Sequence, residues 1–184
     1  MFLYAAMIFA MGWLAGQDTS GVLARPVAEV DLVRYAGLWH EVARLPNRFQ
    51  ERCIGGTTAE YALLPNGQIQ VVNQCRTTDG MIRAEGRAKL ARAGGPTSVL
   101  KVRFAPKWLS FLPMVWGDYW ILDLTDEYRA ALVGDPKGKT LWILSRTPVL
   151  DEDIFERMVA TARAQGFAVD RLIRPPRAND SLAQ

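Results

Sequence analysis

Cys53, Cys75 and the single histidine, His40, carry the reactive chemistry that this sequence offers most directly. A thiolate at Cys53 would be a nucleophile, the two thiols together a disulfide, and the imidazole a metal or haem ligand. Two cysteines and one histidine are too few for a multi-ligand His/Cys metal site. Cys53 and Cys75 flank two strand-like segments that fold back at Pro65-Asn66-Gly67, so closing that hairpin brings them together. In an exported protein the expected pairing is a disulfide, and a closed loop of this size adds about 3 kcal/mol by restricting the unfolded chain. The rival reading is a free Cys53 nucleophile, for which no neighbouring base is identifiable. His40 has the opposite strand parity to Trp39 and is expected to point outward, exposed or satisfied rather than ligating.

A chain of 184 residues with 49% hydrophobic and 22% charged side chains is an ordinary globular composition, large enough for one well-buried domain. Its net charge of +3 is carried by scattered Lys and Arg, which gives no case for nucleic acid. Met1–Gly16 carries no charged side chain, is short for a membrane span and suits the apolar core of an export signal. Leu14-Ala15-Gly16 matches the start of a bacterial lipoprotein cleavage box, but Gln17 stands where the box needs a cysteine, so a lipid anchor is not expected. The organisation read from these signals is a signal-like segment over 1–16, a leader over 17–29, a domain over 30–174 and a polar tail over 175–184. An uncleaved N-terminal membrane helix is the alternative for the first segment.

Within the domain, Gly37-Leu38-Trp39 opens a strand in which Trp39, Glu41, Ala43 and Leu45 alternate onto one face, with Trp39 plugging one end of a barrel. Segments over 57–64, 68–76, 81–92, 97–104, 118–124, 128–133 and 140–146 alternate likewise between short turns, making eight strands. The fourth places Ala84, Gly86 and Ala88 opposite charged residues, so its small face looks inward. Eight consecutive antiparallel strands close into an up-and-down barrel without an exposed edge. One helix follows over about 151–165, with Asp151 at its N-cap, Leu150 and Phe155 at staple spacing and Gly166 past its end. Its stripe of Ile154, Phe155, Met158, Val159 and Ala162 packs it on the barrel's outside. Residues 169–173 suggest a short ninth strand.

Gly37-Leu38-Trp39, Thr125-Asp126-Glu127-Tyr128 and Arg146, in that order and spacing, resemble the three short motifs of the lipocalins. Leu141-Trp142-Ile143-Leu144-Ser145-Arg146-Thr147-Pro148 with its helix is similar to the bacterial lipocalin branch, related to apolipoprotein D. The resemblance covers about 30–173 and departs from the family at His40, where a tyrosine is usual, and at the missing lipidated cysteine. It implies an eight-stranded calyx for a small apolar molecule, commonly a fatty acid or lysophospholipid, in a carrier rather than an enzyme and without a cofactor. It also implies that the Arg146 guanidinium covers the Trp39 indole at the closed end, beside Gly37.

Alternation assigns Tyr61, Ile69, Val71, Asn73, Ala88, Leu100, Val102, Tyr119, Ile121, Trp142 and Leu144 to the lumen. Periodicity alone fits a packed core equally well; the resemblance implies a cavity. Around the mouth, Arg44, Arg48, Arg52, Arg76, Lys137 and Lys139 on the open-end loops, with Lys107, form an expected basic head-group rim. Trp108, Leu109, Phe111, Leu112 and Trp116 sit in a loop that the family places at the open end, where they would form an apolar patch for a membrane surface or a lid over the mouth. The function expected is that of an exported, periplasmic or outer-membrane-associated lipid carrier, a monomer or weak homodimer. The alternatives are an enzyme using Cys53 and a membrane-surface adaptor using the aromatic loop.

Overall fold

The computed structural model describes residues 23–106 and 109–175. Eight antiparallel strands follow one another around a closed barrel: β1 (Gly37–Arg44), β2 (Gly55–Leu63), β3 (Ile69–Thr77), β4 (Gly80–Leu90), β5 (Val99–Arg103), β6 (Gly117–Leu124), β7 (Ala130–Gly134) and β8 (Leu141–Ser145). β8 pairs back onto β1, so every strand has two neighbours and no ladder is left open. A one-turn helix, α1 (Leu32–Tyr35), enters the barrel, and α2 (Glu152–Ala164) lies against its wall.

The strands bury two separate clusters. Inside the barrel, Tyr35, Trp39, Tyr61, Ile69, Ala88, Leu100 and Ile121 pack its lower half. Outside, Leu122, Leu132 and Ile143 meet Phe155, Met158 and Ala162 of α2, with Leu150 in the same cluster. Asp151 stands at the helix N-cap without a side-chain cap bond, and Arg157 ties the helix to Asp123 on β6 at 2.6 Å.

Two expectations are corrected. Register shifts between Glu41 and Ala43 on β1, a bulge that leaves Glu41 beside inward Leu144 but sends Ala43 and Leu45 to the cluster under α2. The same shift turns Arg44 inward, opposite Trp142. The supposed ninth strand is a 3-10 turn over Val169–Arg171 followed by one bridge, Arg44 to Ile173. Three residues wound as a turn leave only Ile173 extended beside β1.

Cys53 and Cys75 form the expected disulfide, with Cα atoms 5.6 Å apart, pinning the β1–β2 loop to β3. Gly86 on the small face of β4 is required by close packing. A Cβ there would lie 2.7 Å from the Arg103 carbonyl and 2.8 Å from the Phe104 ring. Gly86→Ala is therefore expected to lower the urea midpoint by an amount equivalent to about 1–3 kcal/mol, the usual cost of overpacking. Equilibrium unfolding checks this, and an unchanged midpoint would show that Phe104 swings away freely.

Candidate functional site

The upper half of the barrel encloses a cavity of about 850 Å³ that opens at one end. Its floor is the packed cluster below, and its walls are the inward faces of the strands. Of the residues assigned to the lumen, Tyr61, Val71, Asn73, Val102, Tyr119, Trp142 and Leu144 line it. Ile69, Ala88, Leu100 and Ile121 do not; they belong to the packed layer with Trp39 beneath the floor. Alternation reports which face a side chain takes, but not its depth along the barrel. Phe104 folds over Gly86, so the space left by the small β4 face is concentrated at Ala84.

At the closed end the three motifs converge. Trp39 is fully buried and donates its indole N–H to the Tyr35 carbonyl at 2.8 Å. The Arg146 guanidinium carbon lies 3.9 Å from the Trp39 ring centroid. Its Nε donates to Tyr128 O, Nη1 to Leu38 O, and Nη2 to Arg34 O and Tyr35 O, at 2.7–3.2 Å. Gly37 takes φ +94°, and a Cβ there would sit 3.3 Å from Arg146 Nη1, so the glycine leaves room for the guanidinium. In the turn before β7, Thr125 Oγ1 accepts from the N–H groups of Arg129 and Ala130, and Arg34 stacks 4.0 Å above the Tyr128 ring. This is a structural knot that seals the barrel.

A polar cluster that sequence reasoning missed stands on the cavity wall. Gln50, on the 3-10 turn over Arg48–Gln50, reaches in from the β1–β2 loop. Its Nε2 donates to Glu41, while its Oε1 accepts from Trp142 Nε1 at 2.8 Å and Asn47 Nδ2 at 2.9 Å. Arg44 completes the cluster by donating to Glu41 at 2.7 Å. Glu41's inward parity was legible, but no periodicity announces a loop glutamine that turns into a lumen.

Burial pushes the Glu41 carboxyl above the usual carboxylate range, against the opposing pull of the Gln50 hydrogen bond and the Arg44 charge. The folded state therefore holds a proton there at a pH where the unfolded chain has lost it. Glu41's contribution is at its most favourable below the unfolded pKa and is lost as pH rises to the folded one. Comparing urea midpoints across pH for the native protein and Glu41→Gln is expected to show this falling component only in the former; parallel profiles would exclude it.

The mouth differs in part from the expected rim and loop. Arg48 and Arg52 border it, joined by Lys139, whereas Arg44 is buried against Glu41 and offers no rim charge. Lys107 and Trp108 lie outside the described residues. Phe111 is exposed, but Leu109 and Leu112 are half-buried. Trp116 is corrected from an open patch to a half-buried position, with Lys89 Nζ 4.3 Å and the Arg103 guanidinium 5.2 Å from its ring centroid. Preceding β6, it packs among the outward side chains of β4 and β5 instead of the mouth. Phe49 and Met114, 71% and 86% exposed, supply apolar lip residues that alternation could not nominate because both lie in loops. His40 is half-buried between Thr58 and Ser145, and its burial lowers its pKa.

A meander barrel sealed at one end and hollow at the other, with a helix against its wall, is a calyx. Residues 30–177 match the family described as "Lipocalin-like domain", and the chain belongs to the lipocalin family. It is 36% identical over 154 residues to Temperature-induced lipocalin-1 of Arabidopsis thaliana, covering 83% of this chain and 82% of that protein. It is 38% identical over 148 residues to the outer membrane lipoprotein Blc of Citrobacter freundii, covering 80% and 79%. Among solved structures, insecticyanin from the tobacco hornworm Manduca sexta superposes with a TM-score of 0.63 at 22% identity, covering 85% of this chain and 86% of that one. That last likeness speaks for the fold alone.

Proposed function

We propose that this protein is an exported carrier that holds a fatty acid or lysophospholipid at the cell envelope. The observation that carries the reading is the cavity of about 850 Å³, apolar over Val71, Val102, Val133 and Leu144 and open at one end. An acyl chain entering it is stabilised by roughly 0.8 kcal/mol per methylene removed from water. Arg48, Arg52 and Lys139 at the mouth suit an anionic head group, with the chain pointing down. Exposed Phe49 and Met114 beside them, with exposed Phe111 in the same loop as Met114, suit contact with a lipid surface from which such a molecule is taken. Likeness to a protein named an outer membrane lipoprotein supports the envelope location. The closed barrel leaves no strand edge for pairing with another copy, which favours a monomer or weak homodimer. The enzyme alternative needed a Cys53 thiolate, and that sulfur is bonded to Cys75.

Titration with a fluorescent fatty acid, followed by displacement with a lysophospholipid, tests the carrier. Saturable binding is expected, weakened about tenfold in Trp142→Ala, which removes a wall side chain and frees Gln50. Absence of binding, or a variant that binds as the native protein does, would contradict it.

A further inference from the structure

The floor of the cavity is not uniformly apolar. Tyr35, Tyr61 and Tyr119 bring their hydroxyls together there: Tyr119 Oη lies 2.8 Å from Tyr35 Oη and 2.9 Å from Tyr61 Oη. The rings continue the aromatic stack above Trp39, with centroids 4.9 Å apart for Tyr35 and Trp39, 5.6 Å for Tyr35 and Tyr61, and 6.0 Å for Tyr61 and Tyr119. Tyr61 and Tyr119 line the cavity; Tyr35 lies behind them.

Three hydroxyls carry three protons, and two contacts consume two of them. One O–H is thus left over, and these hydroxyls make no other hydrogen bond among the described residues. Of the three ways to order the two bonds, two leave the spare proton on Tyr61 or Tyr119, which face the lumen, and an acceptor in the lumen selects these over the third, which leaves it on Tyr35. A second unmet group sits one inward position nearer the mouth. Asn73, which follows Val71 on that face of β3, has its Oδ1 buried without a partner. Unpaired polar groups in an apolar site are costly unless a ligand or water meets them.

Resting on the carrier reading, we propose that the cavity floor is a polar seat, formed by Tyr61 and Tyr119 with Asn73 above them, for a neutral oxygen at the leading end of the ligand. The ligand class this defines is an acyl chain bearing a hydroxyl or carbonyl far from its head group. A carboxylate does not fit the seat. Burial keeps all three phenols protonated, with Tyr61 pushed up to about 12, and Arg146 spends its guanidinium on backbone carbonyls behind Trp39. A hydroxyl suits it best, because it accepts from a phenol and still has a proton to give.

The test compares unsubstituted fatty acids with their ω-hydroxy counterparts at each chain length from ten to sixteen carbons, by displacement of a fluorescent fatty acid. A purely apolar floor makes every ω-hydroxy chain weaker, by roughly tenfold, because its hydroxyl is desolvated without a partner. The polar seat predicts that at one length the ω-hydroxy acid binds at least as tightly as its counterpart. In Tyr61→Phe with Tyr119→Phe the ratio of the two affinities at that length is expected to fall about tenfold, to the value shown at the other lengths, and an unchanged ratio would overturn the seat. Should the double variant fail to fold, Tyr61→Phe alone is expected to shrink the same ratio. ω-Hydroxy acids that are weaker at every length, with unsubstituted acids still bound, would overturn the seat and leave the carrier standing. Binding of neither series would overturn both.

Discussion

Arg146→Ala is expected to destabilise the barrel by about 3 kcal/mol and to lower its melting temperature by roughly 6–12 °C. The guanidinium covers Trp39 at 3.9 Å and donates to carbonyls of Arg34, Tyr35, Leu38 and Tyr128. Cation–π attraction contributes about 0.5–2 kcal/mol, and hydrogen bonds from a charged donor contribute more than neutral ones. The side chain is only partly buried, so water replaces part of what the alanine removes, and the sum is held to the lower end. Arg146→Lys is expected to fall between the two, since an ammonium keeps the charge but not the planar fork that serves several carbonyls at once. Thermal unfolding followed by circular dichroism reads both variants. An unchanged midpoint in Arg146→Ala would contradict the role assigned to the closed-end knot.

Ala84→Trp is expected to weaken fatty-acid binding by about tenfold or more with little loss of stability. Ala84 lies opposite Asn73 on β4 and faces the hollow half of the barrel. An indole placed there enters empty space, so the usual penalty for overpacking a filled core does not arise. It occupies volume that the proposed acyl chain would fill. Glu85, the next residue, is exposed on the outer face, and Glu85→Trp is the matched control expected to leave affinity unchanged. Displacement of a fluorescent fatty acid measures both, and equal affinity in Ala84→Trp and Glu85→Trp would place the ligand somewhere other than the lumen.

The closed end was the most legible part of the molecule. The Trp39–Arg146 contact was legible through the resemblance of Gly37-Leu38-Trp39 and Arg146 to the lipocalin motifs, since residue type and spacing alone pair no two side chains so far apart. Strand alternation likewise sorted inward from outward side chains on most of the barrel. It did not resolve depth, which is why Ile69, Ala88, Leu100 and Ile121 were read as lining and lie in the packed layer below. Nor does alternation survive a bulge: one extra residue near Val42 moved Ala43 and Leu45 from the lumen side to the helix side. Arg44 changed from a rim charge to a buried partner of Glu41 for the same reason.

Loops were the least legible, because their side chains follow no period. Gln50 enters the cavity, Phe49 and Met114 form the lip, and Trp116 turns away under Lys89. Each placement depends on contacts between segments far apart in sequence. The tyrosine floor shows a different gap. Tyr61 and Tyr119 were both assigned inward, yet the hydroxyl contacts that make them a cluster bring in Tyr35 from α1, outside any strand pattern.

The central proposal is that the hollow half of the barrel is a lipid site. Native mass spectrometry of the protein isolated from the cell envelope, followed by denaturation and lipid extraction, tests it most directly. The expected result is a bound fatty acid or lysophospholipid at near one per chain, released on denaturation and reduced in Ala84→Trp. A clean unliganded mass that takes up no added fatty acid or lysophospholipid would contradict it.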